Sequence, residues 1–139
     1  MNKHIIIKNV IYIMSHSKHE YCMLSRPINR YILKKDGQLL QIGIIEELED
    51  ASDKSKSHMA YLYVNEEFRN NGFGKYLIEY LSNEIKYTKK ELHVISSNDA
   101  KKFYEKNGFK IYRTFSENIM TFLFGNSYIS NNKYYKILK

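Results

Sequence analysis

The spacing of apolar positions changes midway along the chain. Up to Val64 the apolar residues gather in short runs rich in Ile, Leu, Val and Tyr. Such runs are typical of β-strands and predict strands at residues ~4–13, ~30–35, ~38–48 and ~58–64. Residues ~14–28 are polar and poorly periodic, so the pattern allows at most a short helix there, ending at Pro27, the single proline. The first half of the chain is therefore expected to be a β-sheet.

Turn signals separate these predicted strands. Asp36-Gly37 indicates a tight hairpin whose two central positions both have φ > 0. Residues 49–57 are polar throughout and are expected to form a loop. Neighbouring strands joined by such short connections are expected to pair antiparallel.

After Gly72 the period becomes helical. Apolar residues follow spacings of four, three and four residues, which predict an amphipathic helix from Phe73, at Phe73, Leu77, Tyr80, Leu81 and Ile85. The pattern then predicts a strand at ~91–96, a helix at ~99–106, and strands at ~109–113 and ~134–138. Ser97 or Asn98 is expected to cap the second helix, and Gly108 to follow its end. The apolar run 120–124 lies in an Asn- and Ser-rich stretch and remains unassigned, with an interface or an extra strand as alternatives.

The order of elements predicts one α/β (α+β) domain over residues 1–139. Strands come first, followed by strand–helix–strand–helix–strand, which fits a mixed, mostly antiparallel sheet flanked by helices. The chain has no internal repeat and no linker-like segment. Its composition, 43% hydrophobic and 14% aromatic, provides enough apolar surface for a core.

Charge and cysteine content narrow the function classes. The net charge of +7 favours an anionic ligand, but the cations form no basic tail, and nucleic acid binding is not expected. The single cysteine rules out an internal disulfide and fits a reducing compartment, so a cytoplasmic location is expected. His16, His19 and Cys22 are too few for a zinc site, so no metal is expected. No apolar stretch is long enough to cross a membrane, and residues 3–13 look like a strand rather than a leader.

The most informative segment joins a predicted strand to a helix, from Val64 to Lys75. Two glycines, Gly72 and Gly74, open the helix, and such a turn points backbone N–H groups outward at its positive end. This geometry suits a pyrophosphate, to which Arg69 and Lys75 add charge. The spacing is neither that of a Walker A loop nor that of a dinucleotide fingerprint. A plain structural turn that uses glycine only for its geometry is the alternative.

Two stretches resemble a known family. Arg69-Asn70-Asn71-Gly72-Phe73-Gly74 is similar to the R/Q-x-x-G-x-G/A signature of the GNAT superfamily of N-acetyltransferases. Residues 98–109 are similar to its A-x-x-x-Y-x-x-x-G-F segment, with Ala100, Tyr104, Gly108 and Phe109 in register. The resemblance covers about residues 30–113, and it implies a fold with splayed central strands and acetyl-CoA as co-substrate. The chain departs from the family before this region, where only ~15 residues replace two helices that often form the substrate-binding edge.

The resemblance also implies roles for individual residues. Leu62, Tyr63 and Val64 would pair with the pantetheine arm of the coenzyme, and an N–H near Val64 would stabilise the oxyanion. The pyrophosphate would lie on the backbone of Arg69, Asn70, Asn71, Gly72, Phe73, Gly74 and Lys75. Asn98 would contact the pantetheine arm or cap the helix, although the family's asparagine more often stands at the position of Ser97. Phe103 is expected beside the coenzyme.

Tyr104 matches the family's general acid, which would protonate the leaving thiolate. Its alternative role is packing beside Phe103. A general base is also needed, because the amine arrives protonated. His58 occupies the position at which some members carry a Glu, and Glu46 and Glu47 are alternatives, whereas His93 is expected to be packed or at the surface.

The acceptor amine stays open in the sequence. The basic charge favours an anionic amine such as glucosamine 6-phosphate, and residues 57–61 are faintly similar to glucosamine-phosphate N-acetyltransferases. A protein N-terminus or lysine and a polyamine are alternatives, as is a non-catalytic module that binds CoA or nucleic acid. A homodimer is a further expectation from the family.

Overall fold

The structure is a computed structural model, and it describes residues 4–16, 23–124 and 132–139. The strands are β1 (His4–His16), β2 (Met23–Lys35), β3 (Gln41–Glu49), β4 (Lys56–Val64), β5 (Glu91–Ile95), β6 (Lys110–Ile111) and β7 (Lys133–Ile137). The helices are α1 (Phe73–Ile85), α2 (Lys101–Lys106) and α3 (Phe115–Phe124), with 3₁₀ turns at Glu66–Phe68 and Asn98–Ala100.

These strands form one seven-stranded sheet in the order β1-β2-β3-β4-β5-β7-β6. All neighbouring pairs are antiparallel except β4 and β5, which are parallel and are connected through α1. The expected mixed sheet flanked by helices is thus confirmed.

The core lies between α1 and one face of the sheet. The helical spacing places Leu77, Ile78, Leu81 and Ile85 on one buried side of α1. They pack with alternate residues of the strands, including Tyr31, Leu33, Ile45, Met59, Leu92, Val94 and Tyr134. Because side chains alternate along a strand, the residues between these positions belong to the opposite face, which we call the outer face.

The pairing between β4 and β5 is short, and this feature creates the candidate site. Only three residue pairs join the two strands, and His58↔His93 is the last. β4 continues to Val64 and β5 to Ile95, so a gap opens between them. On the other side of β4 the register moves from Glu47↔Met59 to Glu46↔Tyr61, which leaves Ala60 as a β-bulge. A bulge bends its strand, so it accounts for the separation.

Several element boundaries differ from the sequence-based expectations. The segment 14–28 was expected to be a short helix at most, but Met14–His16 belong to β1, and β2 already begins at Met23. The two strands pair along their whole lengths, and cross-strand pairing is a non-local effect that polar composition hides. β4 begins at Lys56, within the expected loop, and the strand expected at 109–113 is reduced to Lys110–Ile111.

The turn chemistry also differs. Of the two central residues in the β2–β3 turn only Gly37 has a positive φ, 77°, so the expected turn with two such positions is wrong. The connection runs over residues 36–40. A loop of this length does not need two residues with positive φ, as the two-residue hairpin turn does. Gly108 does take a positive φ, 87°, after α2. The side-chain cap expected before the second helix is absent. Ser97 precedes the 3₁₀ turn Asn98–Ala100, and its side chain makes no capping hydrogen bond.

The unassigned apolar run 120–124 is helical, as part of α3, and not an extra strand. His19 and Cys22, two of the three candidate metal ligands set aside above, lie outside the described residues.

Candidate active site

A cavity of about 780 Å³ occupies the gap between β4 and β5. It is surrounded by the end of β4, the turn before α1, the first residues of α1, and α2. Its lining comprises Leu62, Tyr63, Val64, Phe68, Arg69, Asn70, Gly72, Phe73, Gly74, Lys75, Ser97, Asp99, Ala100, Phe103 and Tyr104. Most of the residues that the family signature singled out thus lie around one space.

The turn before α1 has the geometry of an anion site. Asn70 and Gly72 both have positive φ, at 64° and 80°, and Gly72 stands at the N-cap without a side-chain capping bond. The first hydrogen bond of the helix runs from the Tyr76 N–H to the Gly72 carbonyl, at 3.0 Å. The N–H groups ahead of it therefore have no intrahelical acceptor, and they lie where the helix dipole is positive.

The two glycines of the turn have different roles. No atom lies within 4 Å of the place where a Cβ on Gly72 would stand, so its positive φ is the reason for glycine there. A Cβ on Gly74 would lie 3.0 Å from Cζ of Phe103. The absence of a side chain at Gly74 thus allows close packing of α2 against α1, and Gly74 also lines the cavity.

Arg69 binds back onto the strand. Its Nε donates to the Val64 carbonyl at 3.0 Å, and its guanidinium lies 5.4 Å from the ring centroid of Tyr63. Asn71 turns away from the cavity, since its amide donates to the carbonyls of Phe68 and Arg69. Arg69 therefore fixes the turn to the end of β4 while keeping a cation at the cavity.

Tyr104 lies at the wall of the cavity and is 8% exposed. Its ring makes edge contacts with Phe103 and Phe109. Burial raises the pKa of Tyr104 above its ordinary value, so the phenol is protonated at neutral pH. Tyr104 thus packs beside Phe103, which was the alternative role, and it also lines the cavity, where a general acid would have to lie.

His58 lies outside the lining of this cavity, at the last paired position before the gap and on the outer face. Its Nε2 is 2.5 Å from Oδ1 of Asp50, and this hydrogen bond holds the pKa of Asp50 well below its usual range. The neighbouring His93 is buried, one of the two placements that the sequence left open, and its ring contacts Tyr112 and Tyr135. Burial lowers the pKa of His93.

The two glutamates weighed as bases lie on opposite faces of β3. Glu46 pairs with Arg30 at 3.5 Å and stands in register with Tyr61, beside the bulge. Glu47 is 3% exposed, and its carboxylate accepts hydrogen bonds from Asn29 and Ser57. Because it lies in a different cavity, Glu47 does not fit the role of base.

The cavity lining differs in part from the site residues expected from the sequence. Asn71 and Asn98 do not line the cavity, whereas Phe68, Ser97, Asp99 and Ala100 do. Ser97 occupies the position at which the family more often carries an asparagine. The alignment with the family's A-x-x-x-Y-x-x-x-G-F segment was therefore the one sequence signal that pointed to Ser97. No group of three His, Cys, Asp or Glu side chains able to hold a metal occurs in residues 4–16, 23–124 and 132–139. None of the helices described is long and apolar enough to cross a membrane.

Comparisons with known proteins agree with this geometry. The family described as "Acetyltransferase (GNAT) domain" matches residues 27–111, more than half of the chain. No curated protein sequence matches the chain.

Solved structures of similar fold include Tetrahymena GCN5, with a TM-score of 0.63 and 16% identity over 81% of this chain and 69% of that one. A GNAT-family acetyltransferase from Staphylococcus aureus Mu50 has a TM-score of 0.61 and 21% identity over 81% and 68%. A GNAT-family acetyltransferase from Elizabethkingia anophelis with acetyl-CoA bound has a TM-score of 0.56 and 21% identity over 80% and 76%. Identities this low support the fold alone.

Proposed function

The chain belongs to the GNAT family of acetyl-CoA-dependent acetyltransferases, and on that premise we propose that it transfers an acetyl group directly to the primary amine of an anionic acceptor. The observation that carries this proposal is the gap between β4 and β5, where a glycine turn and a buried tyrosine line one cavity.

In this proposal the coenzyme lies along the gap. Its pyrophosphate binds the free N–H groups between Asn70 and Lys75, with Arg69 nearby as a cation. Its pantetheine arm runs beside Leu62, Tyr63 and Val64, where β4 has no neighbouring strand on the β5 side. Ser97 replaces Asn98 as the contact from the segment before α2, because Ser97 lines the cavity.

The amine nitrogen attacks the thioester carbonyl, and a tetrahedral intermediate forms. The backbone N–H near Val64 stabilises the oxyanion. When the C–S bond breaks, the Tyr104 hydroxyl gives its proton to the departing thiolate. The raised pKa of Tyr104 supports this role, because a general acid must hold its proton until that step.

We assign the base to His58, acting from the outer face. Residues of α1 and α2 pack against the other face, where the coenzyme also lies in this proposal, so the amine approaches from the outer face. Asp50 orients the imidazole through a 2.5 Å contact, and the His58 side chain is 41% exposed. His58→Gln is expected to lower kcat by about 10²-fold, the lower end for a lost general base. An unchanged kcat would remove His58 from the mechanism.

Arg30 supports an anionic acceptor. It lies on the outer face, in register with Glu46 and, through it, with Tyr61 at the bulge. Its side chain is 36% exposed, and Nε has no hydrogen-bond partner among the described residues. An acceptor whose amine reaches the gap would place a phosphate about two strands away, ~10 Å, close to this guanidinium. An amino-sugar phosphate such as glucosamine 6-phosphate has a suitable charge and size.

Thiol release from acetyl-CoA tests the proposal with glucosamine 6-phosphate, glucosamine, spermidine and a short peptide as acceptors. We expect the highest kcat/KM with glucosamine 6-phosphate, and Arg30→Met is expected to raise its KM about tenfold while leaving glucosamine unaffected. If only spermidine or only the peptide is acetylated, the acceptor is a polyamine or a protein amine and not an anionic amine. Coenzyme binding without turnover on any amine would favour a non-catalytic binding module.

The remaining expectations accompany this proposal. We propose that residues 1–139 act as one catalytic domain in the reducing environment of the cytoplasm, which suits a chain with one cysteine. Light scattering of the purified chain tests the expected homodimer.

A further inference from the structure

A second cavity, of about 500 Å³, lies at the other end of α1. It is bounded by β1, β2, β3, the loop after β3, and the residues that end α1 and follow it. We call it the acidic cavity. It shares no lining residue with the cavity in the gap. The buried side chains of Leu77, Ile78 and Leu81 lie on α1 between the two cavities, so one ligand cannot occupy both.

The charge of this cavity opposes that of the whole chain, which is +7. Four carboxylates line it, from Glu47, Glu49, Asp50 and Glu84, against the ammonium groups of Lys8 and Lys89. Lys89 pairs with Glu49, and Asp50 binds His58.

The other two carboxylates, those of Glu47 and Glu84, make no ion pair among the described residues. Glu47 is buried and accepts only from the neutral donors Asn29 and Ser57. A buried carboxylate that lacks a cation is costly to fold and attracts one.

The hydroxyl of Tyr31 is a second, independent sign of a ligand. Tyr31 is 2% exposed and lines the acidic cavity, yet its hydroxyl has no hydrogen-bond partner within the described part of the chain. Burial, then the charges of Glu47 and Glu84, raises the pKa of Tyr31 to about 12. The phenol oxygen is therefore neutral and still able to accept a hydrogen bond.

The chain's own ammonium groups indicate what the cavity can hold. The Lys8 ammonium stands 5.7 Å from the ring centroid of Tyr31, in cation–π geometry at the cavity. The carboxylates are spread over several elements, and they do not form a group of three able to hold a metal in the described residues. The C-terminal end of α1 adds partial negative charge. A linear cation with more than one ammonium group matches this distribution.

We propose that the acidic cavity binds a linear organic polyamine as a ligand that is not the acetyl acceptor. One ammonium group binds at Glu47 and Tyr31 in the interior, and another at Glu84 at the rim. Because the cavity joins the ends of α1 and β3 to β1 and β2, the ligand stabilises the folded chain.

The test is calorimetric titration of spermidine into the full chain at constant ionic strength. We expect binding to weaken about tenfold in Tyr31→Phe, which keeps the ring, and about tenfold in Glu84→Gln, since each removes a contact to a charged group. Glu79→Gln is the matched control, because Glu79 is exposed on the same helix but does not line the cavity. It should bind spermidine as the wild type does, and butylamine, with one charge, should bind the wild type more weakly.

Three results would overturn the proposal. The first is undetectable spermidine binding. The second is an equal loss of spermidine affinity in Glu79→Gln and Glu84→Gln. The third is acetylation of spermidine at saturating acetyl-CoA, where the proposal expects spermidine to remain bound and unmodified. The first indicates that the cavity does not bind spermidine, the second indicates unspecific surface attraction, and the third indicates an acceptor in the gap. The two binding readouts do not depend on which amine the chain acetylates, so the proposed acceptor can fail independently.

Discussion

The two ends of α1 face cavities of opposite character. At its N-terminus the site is made mostly of backbone, with free N–H groups, the left-handed Gly72, and cations from Arg69 and Lys75. At its C-terminus the site is made of side chains, with carboxylates such as Glu47 and Glu84. In a 13-residue helix these ends are about 20 Å apart. The helix dipole has the same sign as the side chains at each end, so one element separates the proposed anion site from the proposed cation site.

This difference predicts which substitutions abolish ligand binding at each end of α1. A backbone site tolerates side-chain changes unless a new atom enters it, whereas a side-chain site is lost by an isosteric substitution. Substitutions at one end should leave ligand binding at the other unchanged, because the two cavities share no residue.

The largest effect is expected at Tyr104. Tyr104→Phe removes the proton donor but keeps the ring that packs on Phe103 and Phe109. We expect kcat to fall by about 10²- to 10⁴-fold, with acetyl-CoA and spermidine affinities unchanged. Steady-state kinetics and calorimetry on one preparation measure this. A loss of coenzyme affinity without a loss in kcat would mean that Tyr104 only shapes the cavity.

A smaller effect is expected at Gly74. In Gly74→Val the new side chain meets the Phe103 ring, which would lie 3.0 Å from its Cβ, and pushes α2 away from α1. We expect acetyl-CoA to bind about tenfold more weakly, in line with the 1–3 kcal/mol cost of overpacking. Phe103→Leu in the same chain should restore part of the affinity. Additive losses in the double variant would argue against contact between these two residues.

The smallest effect is expected on the stability of the fold at low pH. It arises from titratable groups near the C-terminal end of α1 and on the nearby strands. Burial lowers the pKa of His93, and hydrogen bonds lower those of Asp50 and Glu49. Each group binds protons more readily when the chain is unfolded, so falling pH favours unfolding. Stability should fall below pH ~6.5 through His93 and again below pH ~4 through the carboxyl groups.

Thermal melting at pH 7, 5 and 3 measures this loss. Asp50→Asn should melt lower than the wild type at pH 7, and the difference should shrink at pH 3. A constant difference would show that the charge of Asp50 does not contribute.

The sequence predicted the N-terminal end of α1 far better than the C-terminal end. The spacing of residues in one continuous stretch predicted the glycine turn and α1, and the resemblance of a second continuous stretch to the family motif pointed to Tyr104. The packing of Gly74 against Phe103 could not be predicted, because the two residues are 29 positions apart in the chain. The acidic cavity combines residues from β1, β2, β3 and α1, and no local pattern connects Tyr31 with Glu84. The segment 14–28 was misjudged for the same reason, because strand pairing across β1 and β2 overrides polar composition.

The central claim is that the turn before α1 holds the pyrophosphate of acetyl-CoA. Gly72→Glu and Gly37→Glu form a matched pair, since both glycines have a positive φ, 80° and 77°, and open space around the Cβ position. Both changes cost the same backbone strain, about 1–2 kcal/mol, but only Gly72 lies at the cavity. Calorimetric titration of acetyl-CoA should show no binding to Gly72→Glu and wild-type affinity for Gly37→Glu. Retained affinity in folded Gly72→Glu, or equal losses in the two variants, would contradict the account.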